Sequence, residues 1–172
     1  MIFILTGPVN SGKTTFLKRA IEEFKRQRLS LDGFLSEAVM KNQEKIGYDL
    51  LDLKMKISVP FIRKSGQKDW QRIGCYFFIP RALDLAKRII LRSKEAEILI
   101  VDEIGPLELA GHGFWPALEK VIFKRARKFL FVLRKSVLED FLSIVGKRKA
   151  KIFDVEDEEI FSPMLEEITK PY

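Results

Sequence analysis

Apolar residues follow two alternating rhythms along the chain. Short solid runs stand at residues 1–6, 98–101 and 129–133. Such runs suit strands buried on both faces. Between them, apolar positions recur at helical spacing. Phe16, Leu17, Ala20, Ile21 and Phe24 predict a helix over residues 12–28. Pro80 suits a helix start, here running to about residue 94. Phe114, Leu118, Val121 and Ile122 mark one face of a helix over 114–127, and a short helix is expected at 136–145. A last strand is expected at 151–155 and a last helix at 156–169. Residues 32–53 predict a hairpin, with strands at 33–39 and 46–53 about a polar turn at 41–45. Residues 56–79 are mixed, with one strand expected at 74–79, and residues 102–113 read as a glycine-rich loop. No repeat or linker interrupts the series, so residues 1–172 read as a single domain. The alternation predicts an α/β fold with a mostly parallel sheet covered on both faces and an added hairpin.

Composition narrows this picture. Hydrophobic residues make up 47% of 172, enough for a core, which excludes a disordered or collagen-like chain. The longest apolar run is five residues, against about 20 for a membrane helix. The first six residues read as a strand and lack the basic start of a signal peptide. One cysteine and one histidine exclude a disulfide framework and a His/Cys zinc site. A cytoplasmic protein is expected. Net charge is +7 and uneven. Residues 152–172 hold one basic and seven acidic residues, leaving residues 1–151 with a net +13. A basic body suggests an anionic partner. Two Asn and four Gln among many charges suit a thermophile protein.

The anion is specified by Gly7-Pro8-Val9-Asn10-Ser11-Gly12-Lys13-Thr14, which is G-x-x-x-x-G-K-[ST] between a predicted strand and a predicted helix. The chain turns about a phosphate there. Loop N–H groups and the positive helix N-terminus bind its oxygens. Gly12 permits close approach, Lys13 is placed for the β- and γ-phosphates, Thr14 for Mg²⁺, and Thr15 for the α-phosphate. A glycine turn before a helix is the plain alternative, but the strand–loop–helix context favours a nucleotide. The apolar run 98–101 ends in Asp102 and Glu103. At a strand's carboxyl end this resembles a Walker B arrangement, with Asp102 on Mg²⁺ and Glu103 by the γ-phosphate, activating water. An acidic loop start would look the same in isolation.

Charge developing on the γ-phosphoryl group calls for an arginine. Arg134 directly follows the run 129–133, so it faces the nucleotide if that strand neighbours the one ending in Asp102. Arg72 precedes Ile73-Gly74-Cys75, where glycine suggests close backbone approach. Arg63 and Arg81 are further candidates. With 31 basic residues, a solvated surface role is the default for any one of them. Cys75 reads as a half-buried small residue, His112 as a loop residue, and Trp70 and Trp115 as packing residues.

Four segments together resemble the thermostable, or cancer-related, nucleoside triphosphatase family. They are residues 4–15; Gly33-Phe34 with Glu37 and Gly47-Tyr48; Arg72-Ile73-Gly74-Cys75-Tyr76; and Asp102-Glu103-Ile104-Gly105-Pro106-Leu107-Glu108-Leu109. The last is similar to the family's Asp-Glu-Ile-Gly-x-Met-Glu-Leu. The resemblance implies a monomer with a RecA-like, three-layer α/β/α core and Mg²⁺-dependent hydrolysis of ATP, GTP and other nucleoside triphosphates. Three positions depart from it. Ala38-Val39-Met40 follows Glu37 where an Arg is usual, Lys45-Ile46 precedes Gly47 where another Arg is usual, and Asp157-Glu158-Glu159 replaces Asn-Arg-Asp. Rival readings are a nucleotide or small-molecule kinase, with the basic stretch 54–72 as acceptor clamp, and a nucleic-acid-binding ATPase, which the acidic tail disfavours. A non-enzymatic nucleotide switch is a third.

Overall fold

The structure is a computed structural model and describes residues 1–123, 127–146 and 150–171. Strand β1 (Ile2–Gly7) is buried throughout and leads through the phosphate loop into helix α1 (Lys13–Arg26). A hairpin follows, β2 (Leu31–Lys41) and β3 (Glu44–Asp52), and then β4 (Ser58–Arg63). Two short strands, β5 (Arg72–Ile73) and β6 (Tyr76–Phe78), precede α2 (Pro80–Arg92). The rest alternates: β7 (Ile98–Ile104), a single turn α3 (Pro106–Leu109), α4 (Trp115–Ile122), β8 (Lys128–Arg134), α5 (Leu138–Val145), β9 (Ala150–Asp154) and α6 (Phe161–Thr169). Part of the helix expected at 114–127 falls on residues 124–126, outside the described residues.

Among the described residues, all nine strands join one sheet in the order β5-β6-β4-β3-β2-β7-β8-β1-β9. From β2 to β9 neighbouring strands run parallel, and from β2 through β3, β4 and β6 to β5 they run antiparallel. The hairpin therefore begins an antiparallel wing on the edge of a parallel core. Alternation along the core strands divides the apolar residues between two layers. Phe3, Leu5, Ile100 and Leu130 pack under α1 and α6, and Ile2, Ile4, Val101 and Phe131 under α2, α4 and α5.

Several elements differ from expectation: the strand expected at 74–79 is the pair β5 and β6 about a turn, and the loop expected at 102–113 holds the end of β7 and the turn α3. β4 was hidden by Pro60, which has no N–H to give a ladder and reads as a breaker. α6 starts at Phe161 and not at residue 156. The Asp154 and Asp157 carboxylates accept from the N–H groups of Glu156 and Glu159 at 3.1 and 3.0 Å, which holds turns there in place of a helix.

Wing and core are tied by an ion cluster in which the carboxylates are buried and the arginine is partly exposed. Arg92, at the end of α2, pairs with Asp32 of β2 at 3.1 Å and with Asp52 of β3. Burial pushes the Asp52 carboxyl up, but the Arg92 guanidinium and the N–H groups of Met55 and Lys54 hold it below its ordinary value.

Candidate active site

The site lies at the carboxyl edge of the parallel strands, where open α/β sheets bind ligands. β8 lies between β1 and β7, pairing Gly7 with Arg134 and Val101 with Phe131. Three chain segments thus meet: the phosphate loop, the Asp102–Glu103 pair and Arg134. A cavity of about 930 Å³ opens among them, bounded on its far side by the β2–β3 hairpin.

The phosphate loop is shaped by backbone freedom at one end and crowding at the other. Gly12 has φ +82° at the helix cap, and Asn10 also takes a positive φ of 62°. A side chain at Gly7 would meet Val155 at 2.5 Å and the Ser11 hydroxyl at 2.7 Å. Residues Val9 to Thr15 line the cavity, while Gly7 and Pro8 underlie it and their carbonyls accept from the Lys13 ammonium. Burial lowers the Lys13 pKa, although Glu103 raises it in part. The first-turn N–H groups of α1 have no intrahelical carbonyl to bind and face this loop.

Asp102 and Glu103 would point to opposite sides of a regular strand. A β-bulge prevents that. Val101 pairs with Phe131 but Ile104 with Leu133, so two residues of β7 oppose one of β8. Glu103 absorbs the irregularity at φ +70°, a rare conformation for a side chain of its size. Both carboxylates then reach one cavity. Asp102 is fully buried; its Oδ2 accepts from Thr14 Oγ1 and from the Ser36 N–H, each at 3.1 Å. Burial pushes the Asp102 carboxyl up to about 7. Glu103 Oε1 accepts from Arg134 Nε at 2.7 Å and from a terminal nitrogen of the same guanidinium. Burial lowers the Arg134 pKa, but the Glu103 charge outweighs it and the net change is upward.

The other arginines are placed elsewhere. Arg72 sits on the outermost strand, where Nε donates to the Gly74 carbonyl at 2.7 Å and the guanidinium lies over Phe77. Its glycine neighbour makes a turn between β5 and β6, and no close approach to the phosphate cavity. Arg63 is bound to Asp49 and to the Tyr48 carbonyl. No residue of the basic stretch 54–72 lines this cavity. His112 is exposed, and Trp115 packs edge-on against Phe141.

Three further residues contribute, of which Ser36 carried no local signal, while Lys45 and Glu108 were marked in the sequence only by the family resemblance. Ser36 fixes Asp102 through its N–H and also donates its hydroxyl to the Asp102 carbonyl at 3.1 Å. Lys45 reaches back from the hairpin to Asn10 Oδ1 at 2.9 Å and lies over the Tyr48 ring. It thereby supplies a cation next to the phosphate loop at one of the positions where the chain departs from the resembled pattern. Glu108, buried in α3, accepts from the Gly105 N–H at 3.1 Å. Burial pushes its carboxyl up to about 7.

Among the described residues no helix is long and apolar enough to cross a membrane. A family model described as NTPase matches residues 2–165. A relative from Thermofilum pendens named "Nucleoside-triphosphatase THEP1" is 30% identical over 122 residues, spanning 70% of this chain and 66% of that protein. A Bos taurus "Cancer-related nucleoside-triphosphatase homolog" is 30% identical over 128 residues, with 69% and 67% covered. The solved structure of THEP1 from the hyperthermophile Aquifex aeolicus shares this fold with a TM-score of 0.79 at 20% identity, covering 99% of this chain and all of that one.

Proposed function

The chain belongs to the NTPase family, and from that premise we propose that it cleaves nucleoside triphosphates to diphosphate and inorganic phosphate with Mg²⁺ bound. One observation carries this reading: Glu103, Arg134, Lys13 and Asp102 share a single cavity at the mouth of the phosphate loop. Binding alone needs the loop; a carboxylate next to the γ-phosphate position serves a reaction.

The donors present suit Mg²⁺. Thr14 Oγ1 and Asp102 Oδ2 are hard oxygens side by side, and Mg²⁺ takes few protein ligands, completing its shell with phosphate oxygens and water. Asp102 is a buried carboxylate with neutral hydrogen-bond partners only, an arrangement that a cation would relieve. When bound, Mg²⁺ neutralises charge on the β- and γ-phosphate oxygens. The chain's own residues do the rest. The loop N–H groups of residues 9–15 cradle the phosphates, and Lys13 turns from the loop carbonyls to them. Glu103 takes a proton from the attacking water as its oxygen bonds the γ-phosphorus. The bond to the bridging oxygen breaks, and its electron pair leaves on the diphosphate. Arg134 orients Glu103 and presents its remaining N–H groups to the γ-phosphoryl oxygens.

The test is phosphate release from ATP, GTP, CTP and UTP with and without Mg²⁺, repeated with Lys13→Ala and Glu103→Gln. We expect Lys13→Ala to lose triphosphate binding and Glu103→Gln to keep binding but lose about 10²–10³ in turnover. Full activity in Lys13→Ala would refute the site, and unchanged turnover in Glu103→Gln would leave a nucleotide switch as the better reading.

A further inference from the structure

Behind Glu103 lies a second cavity of about 280 Å³, close to the ~300 Å³ at which small-molecule pockets begin. It shares Ser36, Tyr48, Glu103 and Arg134 with the phosphate cavity, so the Glu103–Arg134 pair forms the partition between the two. Its walls are aromatic, with buried Phe61, Phe78 and Phe114 joined by Tyr76. Cys75, in the exposed turn between β5 and β6, stands at its mouth. Glu108 closes the inner end, and its Oε1 makes no hydrogen bond of normal geometry.

Hydrolysis needs room for one water at this face of Glu103. The cavity is far larger, and its rings suit a planar ring ligand. Its charge pattern selects further. The charged side chains lining it are Glu103, Glu108 and Arg134, and Arg134 is already paired with Glu103. A ligand bearing its own phosphate would meet two carboxylates with no spare cation.

We propose that this cavity is the acceptor site for a phosphate-free, ring-bearing alcohol of about nucleoside size, to which the γ-phosphoryl group can pass in place of water. The proposal rests on the triphosphatase reading of the neighbouring cavity. The acceptor's hydroxyl oxygen bonds the γ-phosphorus. The bond from that phosphorus to the β,γ-bridging oxygen breaks, and its electron pair leaves on the diphosphate. The hydroxyl proton passes to Glu103. The ring packs against Phe61, Phe78 and Phe114, and Glu108 accepts a ring N–H or hydroxyl where one is present.

Cys75 is the chain's one cysteine, so N-ethylmaleimide labels a single site at the cavity mouth. The probes are adenosine, guanosine, cytidine, uridine and pyridoxine, with ribose and the nucleoside monophosphates as comparison arms. At least one probe is expected to slow alkylation, by about tenfold at ten times its Kd, and to receive label from γ-³²P-ATP. The variant Cys75→Trp fills the mouth and is expected to lose that transfer while still binding a non-hydrolysable triphosphate, which shows it is folded. Protection no better than ribose, protection by monophosphates in preference to nucleosides, or protection without label transfer would each overturn the proposal. Phosphate release into water, followed in parallel, separates the two readings. If release persists without transfer, the acceptor site alone has failed; if release is absent, the triphosphatase reading has failed and takes the proposal with it.

Discussion

Glu103 combines a strained backbone, an ion pair with Arg134 and a place between two cavities. Arg134 therefore has two jobs, and its variants separate them. Arg134→Ala is expected to lower turnover about 10²-fold, and Arg134→Lys, which keeps the charge but not the two-pronged contact, is expected to recover only part. Steady-state kinetics with a parallel triphosphate Kd checks this, and an unchanged turnover in Arg134→Ala would remove it from the mechanism. Glu108 makes a different prediction, about pH. Its carboxyl sits at about 7 in the fold against about 4.3 when free. The folded state therefore holds this proton more tightly, and the contribution is full below about 4 and lost as pH rises through 7. Relative to Glu108→Gln, the wild type is expected to lose about 3 kcal/mol of stability between pH 4 and pH 8. Chemical unfolding of both proteins across that range measures it, and parallel pH curves would contradict the burial argument.

At the level of elements, close approach and the hairpin matter most. Gly33 sits where β2 pairs with β7, at φ +127°, and a Cβ there would lie 1.8 Å from the Ile100 carbonyl oxygen. Gly33→Ala is expected to cost more than about 4 kcal/mol, since backbone itself must move; a thermal midpoint near that of the wild type would show the strand pair is looser than described. The hairpin acts through Lys45. Lys45→Ala removes its contacts with Asn10 and Tyr48 and is expected to raise KM for the triphosphate several-fold with kcat nearly kept.

Across the whole molecule, the question is how an antiparallel wing is held to a parallel core. Arg92 bridges Asp32 and Asp52, whose side chains are 2% and 3% exposed. Arg92→Ala would leave two buried carboxylates unpaired, which costs about 3–5 kcal/mol. The loss is expected to shrink at low pH as the Asp52 carboxyl, held below its ordinary value by Arg92, protonates; a loss of stability independent of pH would point to packing instead. The surplus of positive charge has a related explanation. Lys135 meets Asp154 and Glu156, and Lys151 meets Glu167. The basic body and acidic tail are thus joined by surface pairs, in keeping with a charge balance that one anion site could not absorb.

Local order in the sequence was enough for the phosphate loop, because eight consecutive residues from Gly7 to Thr14 carry the turn, the lysine and the hydroxyl. It was enough too for the core strands and helices, whose apolar spacing is a local property. Asp102 and Glu103 were legible as a pair, but their sharing of one cavity was not, since it depends on a bulge that exists only against β8. Ser36 lies 66 residues from Asp102, and Arg134 lies 31 from Glu103. No pattern within either segment names the other. Arg72 and Arg134 looked alike as candidates, each beside a strand; sheet order put one at the outer edge and the other opposite Gly7. The second cavity is the extreme case, because its walls come from every strand from β2 to β8, from α3 and from the loop before α4. The sequence determined which groups can bind a phosphate, since that chemistry is built within one turn of chain. The tertiary structure decided which carboxylate, arginine and aromatic rings stand next to it, since sheet register brings together residues that the chain keeps far apart.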